Sequence, residues 1–162
     1  MDGTHGDDVI TAFVVANGLL TIRVNDVTFA VSDSQVNRIE IDAKCGNDFV
    51  GVRESVQHVV SVDLGNGHDT AYVMGGPAVV FGGSGNDLIV TGVHNDIIRG
   101  GAGNDILLGG EGNDLIVGGE GNDGIAEEAG MIPFVEMRAT TSCSATDQIP
   151  GRYQHPVPER HR

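Results

Sequence analysis

Tryptophan is absent from this 162-residue chain, and aromatic residues make up only 4% of it. A large core packed from aromatic rings is thereby excluded. No apolar run reaches the roughly 18 residues of a membrane-spanning helix, so no membrane span is expected. The two cysteines, Cys45 and Cys143, lie far apart, which excludes a disulfide framework. The first residues, MDGTHGDDVI, lack the basic start and apolar stretch of a cleavable secretory signal. Basic residues are also scarce: nine Lys and Arg stand against 23 Asp and Glu, for a net charge of −14. Residues 1–126 hold 18 of the acids and five of the bases. Phosphate binding needs Lys and Arg, so nucleic acid is excluded as a partner, and the imbalance points to cations. No H-E-x-x-H, G-x-S-x-G or phosphate-loop motif occurs, and no pair of acids is set apart for catalysis. Gly119, Gly121 and Gly124 satisfy G-x-G-x-x-G, but no crossover helix follows them, so no dinucleotide site is read there. The chain reads as a non-enzyme.

Glycine, by contrast, is abundant: its 25 residues are about twice the usual share. Much of it falls in five consecutive nine-residue blocks over residues 82–126: GGSGNDLIV, TGVHNDIIR, GGAGNDILL, GGEGNDLIV and GGEGNDGIA. Each carries Asn-Asp at its fifth and sixth places. The glycine-rich half needs positive φ and close backbone approach, and Asn tolerates left-handed geometry as well. The apolar triplet after each Asp is β-prone and too short for a helix. Its middle residue is expected to point inward, which gives an interior ladder of Ile89, Ile98, Leu107, Ile116 and Ile125. Turn, strand, turn and strand make one coil of a parallel β-solenoid, stabilised by stacking on its neighbours.

Weaker relatives lie upstream. AKCGNDFVG (43–51), LGNGHDTAY (64–72) and GTHGDDVIT (3–11) keep Gly and Asp at the fourth and sixth places. From Asp48 to Asp69 is 21 residues and from Asp69 to Asp87 is 18, close to one coil of two blocks each. Residues 1–43 are expected to form an N-terminal β cap with degenerate first coils, including an Asn17-Gly18 hairpin turn. Residues 44–126 form the solenoid. Residues 127–162 hold four of the five prolines and two glycines. They are expected to be an irregular or disordered tail, with a short amphipathic helix over IAEEAGMIPFVEMR (125–138) broken by Pro133.

The Asp rows carry the chemistry. With coils about 4.8 Å apart, Asp87, Asp105 and Asp123 line one edge, continued by Asp48 and Asp69, and Asp96 and Asp114 line the other. Two carboxylates at that spacing repel by roughly 0.9 kcal/mol in water and about 3.5 kcal/mol at an effective dielectric of 20. A hard dication reverses the sign. Calcium suits such turns because it accepts six to eight oxygens in flexible geometry, whereas zinc prefers His and Cys. His68 and His94 read as solvated turn residues rather than ligands.

These blocks resemble the nonapeptide repeats of the RTX (repeats-in-toxin), or haemolysin-type calcium-binding, family, closely over 82–126 and more distantly over 43–81. The resemblance implies a parallel β-roll with Ca2+ between successive turns. It implies side-chain ligands Asp87, Asp96, Asp105, Asp114 and Asp123, with Asp48 and Asp69 as weaker candidates. It further implies backbone carbonyl ligands from Gly83, Gly85, Gly101, Gly103, Gly110, Gly112, Gly119 and Gly121. Complete sites would pair Asp87 with Asp105, Asp105 with Asp123, and Asp96 with Asp114. Thr91 and His94 replace glycines in the second block, so a looser turn is expected there. The resemblance implies a secreted, extracellular protein whose folding is coupled to calcium; in the family this accompanies secretion through a dedicated secretion machinery. The alternatives are an accessory module of a larger secreted enzyme or toxin, and a glycan-binding or adhesin surface, for which Tyr72 and Phe49 are the aromatic candidates.

Overall fold

Short β-branched segments between glycine-rich turns can bury their apolar side chains only by stacking on copies of themselves, and they do. A computed structural model describes residues 2–126 and 134–136. The strands are β1 (Val9–Val14), β2 (Leu19–Val24), β3 (Val27–Ser32), β4 (Arg38–Asp42), β5 (Phe49–Val52), β6 (Val59–Asn66) and β7 (Thr70–Val73). They continue as β8 (Ala78–Ser84), β9 (Leu88–Thr91), β10 (Ile97–Ala102), β11 (Ile106–Leu108), β12 (Leu115–Glu120), β13 (Gly124–Ala126) and β14 (Phe134–Glu136). A single 3-10 turn, Asp33–Gln35, precedes β4.

From β4 onward the chain alternates between two sheets. One is ordered β14-β12-β10-β8-β6-β4 and is parallel throughout. The other is ordered β13-β11-β9-β7-β5-β1-β2-β3, parallel from β13 to β1 and antiparallel from β1 to β3. The fold is an all-β parallel solenoid. Between residues 1 and 43, β1 and β4 already stand in the parallel sheets, while β2 and β3 extend one sheet as a meander. Gly18, at φ 76°, closes the β1–β2 hairpin.

The pairing register stacks like on like. Ile41, Val62, Val80, Ile98 and Ile116 form one interior column. Ile10, Val50, Ala71, Ile89, Leu107 and Ile125 form another in the opposite sheet. All are buried except Ile125, which is half-buried at the last described turn of its column. Each fully buried Ile or Leu contributes about 1.5–3 kcal/mol of transfer free energy. The helix expected over 125–138 is corrected where the structure describes it. Ile125 and Ala126 end β13, and Phe134–Glu136 pairs in parallel with Leu115–Val117. The remainder of that segment, and of the expected tail, lies outside the described residues.

Candidate metal centre

The strand ends deliver the aspartates to the two edges of the stack. One edge carries a row of six: Asp8, Asp48, Asp69, Asp87, Asp105 and Asp123. They are linked by a continuous hydrogen-bond ladder, in which each backbone N–H donates to Oδ1 of the aspartate in the next coil. The distances are 2.7 Å from Asp8 to Asp48, 2.7 Å from Asp48 to Asp69 and 2.9 Å from Asp69 to Asp87. They are 2.9 Å from Asp87 to Asp105 and 3.0 Å from Asp105 to Asp123. The opposite edge is shorter. Ala78 N–H donates to Asp96 at 2.7 Å and Asp96 N–H to Asp114 at 2.8 Å, so Ala78 stands where a third aspartate would be.

The residue before each aspartate builds a second ladder running the other way. The backbone N–H groups of Asn104 and Asn122 donate to Oδ1 of Asn86 and Asn104 at 2.7 and 2.9 Å, and Asn113 donates to Asn95 at 2.9 Å. His68 takes an asparagine's place in it: Nδ1 accepts the N–H of Asn86 at 2.8 Å, and its own N–H donates to Asn47 Oδ1 at 2.8 Å. This corrects two readings. Among the described residues only Asn25 and Lys44 are non-glycine residues with positive φ, so the block asparagines serve the ladder rather than left-handed geometry. His68 is an exposed turn residue that is also a ladder member. His94 has a buried Nδ1 without a hydrogen-bond partner, so it is not simply solvated.

The turn glycines carry the backbone through the close approaches. Gly103 has φ 139°, and a Cβ there would overlap the Gly85 carbonyl oxygen of the preceding coil. The carbonyls of Gly83, Gly101 and Gly103 likewise face Gly101, Gly119 and Gly121, and that of Gly92 faces Gly110. At Gly112 the facing carbonyl is that of His94. Lys44 stands where the repeat has its second glycine and adopts that glycine's conformation, with φ 82°.

Asp48, Asp69, Asp87, Asp105 and Asp123 each use Oδ1 within the ladder, whereas Asp8, at its first rung, only donates to it. In Asp48, Asp69, Asp87 and Asp105 the other oxygen, Oδ2, is buried and has no hydrogen-bond partner. A buried carboxylate oxygen left unpaired costs free energy unless a proton or a cation meets it. The side chains respond accordingly. Burial pushes the Asp69 and Asp105 carboxyls up to about 6, only partly offset by the backbone N–H each accepts. It also raises Asp48, Asp87, Asp96 and Asp114 above the usual carboxylate range. Asp8 differs. Burial raises it, but the Thr4 N–H, the Asn25 amide and the Thr4 hydroxyl together bring it below the usual value.

These residues fit a calcium ion. The donor set is hard oxygen, with an unpartnered carboxylate oxygen in four of the loops, those of Asp48, Asp69, Asp87 and Asp105, among turn carbonyls. No group of three or more His, Cys, Asp or Glu placed to hold a metal occurs among the described residues. A cation here must draw on backbone oxygen, which calcium accepts and zinc does not favour. The pairs Asp87 with Asp105 and Asp105 with Asp123 lie in register in adjacent coils. Asp96 and Asp114 do so on the other edge. Asp48 and Asp69, read from sequence as the weaker candidates, carry the same unpartnered oxygen as Asp87 and Asp105. The Thr91 turn is not loose: Thr91 is 2% exposed, and its Oγ1 donates to the Gly109 carbonyl at 2.8 Å. That contact, made across coils, and the Asn25 amide on Asp8 at 2.6 Å, made by the β1–β2 hairpin folding back, were missed from sequence because the partners lie far apart along the chain.

On the outer face of the larger sheet, Phe49 and Tyr72 meet with ring centroids 6.1 Å apart. They line a groove of about 850 Å³ with Phe13, Arg23 and Arg53, and Arg53 lies over the Phe13 ring at 5.3 Å.

Residues 63–93 and 90–125 match the family described as RTX calcium-binding nonapeptide repeat (4 copies). Comparison with curated proteins and with solved structures gives no match. The matched segments take in Asp69, Asp87, Asp96, Asp105, Asp114 and Asp123, whose ladders hold adjacent coils in register, and over these residues the chain matches the RTX calcium-binding nonapeptide repeat.

Proposed function

We propose that this chain is a non-enzymatic, secreted β-roll whose folding is coupled to calcium. The observation that carries the reading is the file of four buried, unpartnered Oδ2 atoms on Asp48, Asp69, Asp87 and Asp105. When bound, calcium supplies positive charge to carboxylates that burial otherwise drives toward protonation. The chain's own part is to hold those carboxylates in line. The N–H ladder fixes Oδ1, the glycine turns aim Oδ2 and the carbonyls inward, and the stacked Ile, Leu and Val columns set the coil spacing. Without a cation the same row sets unpaired carboxylates one coil apart, which opposes stacking. Binding to the stacked state alone then becomes folding free energy. Extracellular calcium-binding modules work at roughly 10⁻⁴–10⁻³ M, a level that supports folding outside the cell and a looser chain inside it.

The test is calcium titration of the chelated protein, followed by calorimetry and circular dichroism. The expected outcome is binding of about four ions at the row of four, with a gain of β signal over the same range. Equal β content in calcium and in chelator would remove the coupling. Absence of binding heat up to 10⁻² M, on the order of ten times the range for such modules, would remove the calcium reading itself.

A further inference from the structure

We propose that the groove on the outer face of the larger sheet binds a carboxylate-bearing sugar, with Phe49 and Tyr72 against the sugar ring and Arg23 and Arg53 on its carboxylate. The site goes beyond the calcium rows and uses none of their residues.

The pairing register builds the groove. Arg23, Thr11, Gly51 and Tyr72 form one outward row across β2, β1, β5 and β7. On the same face, Phe49 stands two residues before Gly51 and Arg53 two residues after it. Gly51 is not among the glycines with positive φ, so its backbone does not require glycine. A glycine inside a strand weakens it and marks a place of close approach. Here it lets the Phe49 ring lie low against the sheet, since a Cβ would stand 3.2 Å from that ring. Phe49 and Tyr72 are inclined at 44° to each other and are 37% and 38% exposed, which makes them an open apolar cradle in water.

Charge decides what the cradle holds. Residues 1–126 contain five bases against 18 acids. Arg38 and Lys44 pair with Glu40 and Asp42. Arg23 and Arg53 both line the groove, and neither makes an ion pair among the described residues. The Arg53 guanidinium lies over the Phe13 ring instead, which holds its planar fork and leaves the N–H donors for a ligand. Glu54 is the one acid on the lining, so the groove is net positive within a chain of net charge −14. It is complementary to an anion of low charge density, because the acidic body repels a dense polyanion. The rings add the need for a flat apolar face. A sugar acid offers both, a face of C–H groups and a planar carboxylate that a guanidinium grips with two hydrogen bonds. A peptide is less suited. β1, β5 and β7 are each paired on both sides, so no free strand edge lies beside the groove for a peptide to join.

The test is calorimetric titration of the full chain in calcium, with the heat of each ligand in calcium buffer subtracted. Three ligands are compared: a tetrasaccharide of alternating glucuronate and N-acetylglucosamine, the same tetrasaccharide with its carboxyls reduced to alcohols, and tetraglutamate. Saturable binding is expected for the acidic sugar, roughly tenfold or more weaker binding for the reduced one, and none for tetraglutamate. Arg53→Gln and Tyr72→Ala are each expected to weaken binding of the acidic sugar by roughly tenfold. Arg99→Gln removes an exposed base on the other sheet and is expected to keep the parent affinity. If either groove variant loses its β signal, Arg23→Gln replaces it, with the same expected loss. No saturable heat with the acidic sugar up to about 10 mM overturns the proposal. So does equal affinity for the reduced sugar, or binding of tetraglutamate as tight as that of the sugar. Parent affinity in the groove variants, or an equal loss in Arg99→Gln, overturns the placement in this groove. Failure of the parent to bind calcium bears on the reading under Proposed function alone.

Discussion

At Gly103 the backbone runs at φ 139°, and the hydrogen that stands in for a side chain faces the Gly85 carbonyl oxygen. An L-residue there is strained twice, by the dihedral and by the overlap with backbone that cannot move aside. Gly103→Ala is expected to cost roughly 2 kcal/mol or more and to lower the melting temperature in calcium. Melting within a degree of the parent would show that the turns can separate freely. The glycine at this place was legible from its recurrence in the blocks. The role of the asparagine beside each aspartate was not. Recurrence marked Asn86, Asn104 and Asn122 as turn residues, but a side chain that bonds a backbone 18 residues away leaves no local trace.

Within a strand, the alternation of inward and outward residues separates stability from surface. In β11, Leu107 is fully buried between Ile89 and Ile125, whereas its neighbour Ile106 is 53% exposed. Leu107→Ala is expected to cost about 2–5 kcal/mol, the range for a cavity in a close-packed core. Ile106→Ala should cost well under half of that, since most of its side chain is already in water. Urea unfolding in saturating calcium measures both, and equal losses would contradict the stacked columns. The inward ladder was readable because three apolar residues between two turns allow only one register. The strand Phe134–Glu136 was misread as part of a helix, since an isolated FVE beside a proline has no period of its own. Its strand form is set by pairing with Leu115–Val117.

Across the whole molecule, metal-free stability and calcium respond oppositely to pH. In the metal-free fold Asp69 and Asp105 titrate near 6 against 3.8 for an ordinary Asp, and Asp48, Asp87, Asp96 and Asp114 are raised too. The folded state then holds protons that the unfolded state has released. Their contribution is fully present below about pH 4 and is lost as pH rises through about 6. Asp8 is lowered, so its contribution is present throughout that window. In chelator, the melting temperature is therefore expected to fall between pH 5 and pH 7. The increase on adding calcium should be larger at pH 7, where the carboxylates are free of protons. A chelator melting temperature that climbs over that interval would contradict the burial of these groups.

The nine-residue period, the β-prone triplets and the recurring Asp determined by themselves that the chain stacks as a parallel solenoid with two acidic edges. These are local properties, written in consecutive residues and multiplied by repetition. Which aspartates are left needing a cation was decided only by the tertiary structure. Asp96 and Asp87 stand at the same place in the same motif. Their surroundings differ: the Thr91 hydroxyl before Asp96 donates to the Gly109 carbonyl, 18 residues on, whereas Gly82 before Asp87 has no side chain and packs against the Gly100 carbonyl. Asp8 is met by Asn25 only because the β1–β2 hairpin folds back on it. A carboxylate's unmet hydrogen bonding is a property of everything packed around it, and for Asp8 that includes Asn25, brought from 17 residues away.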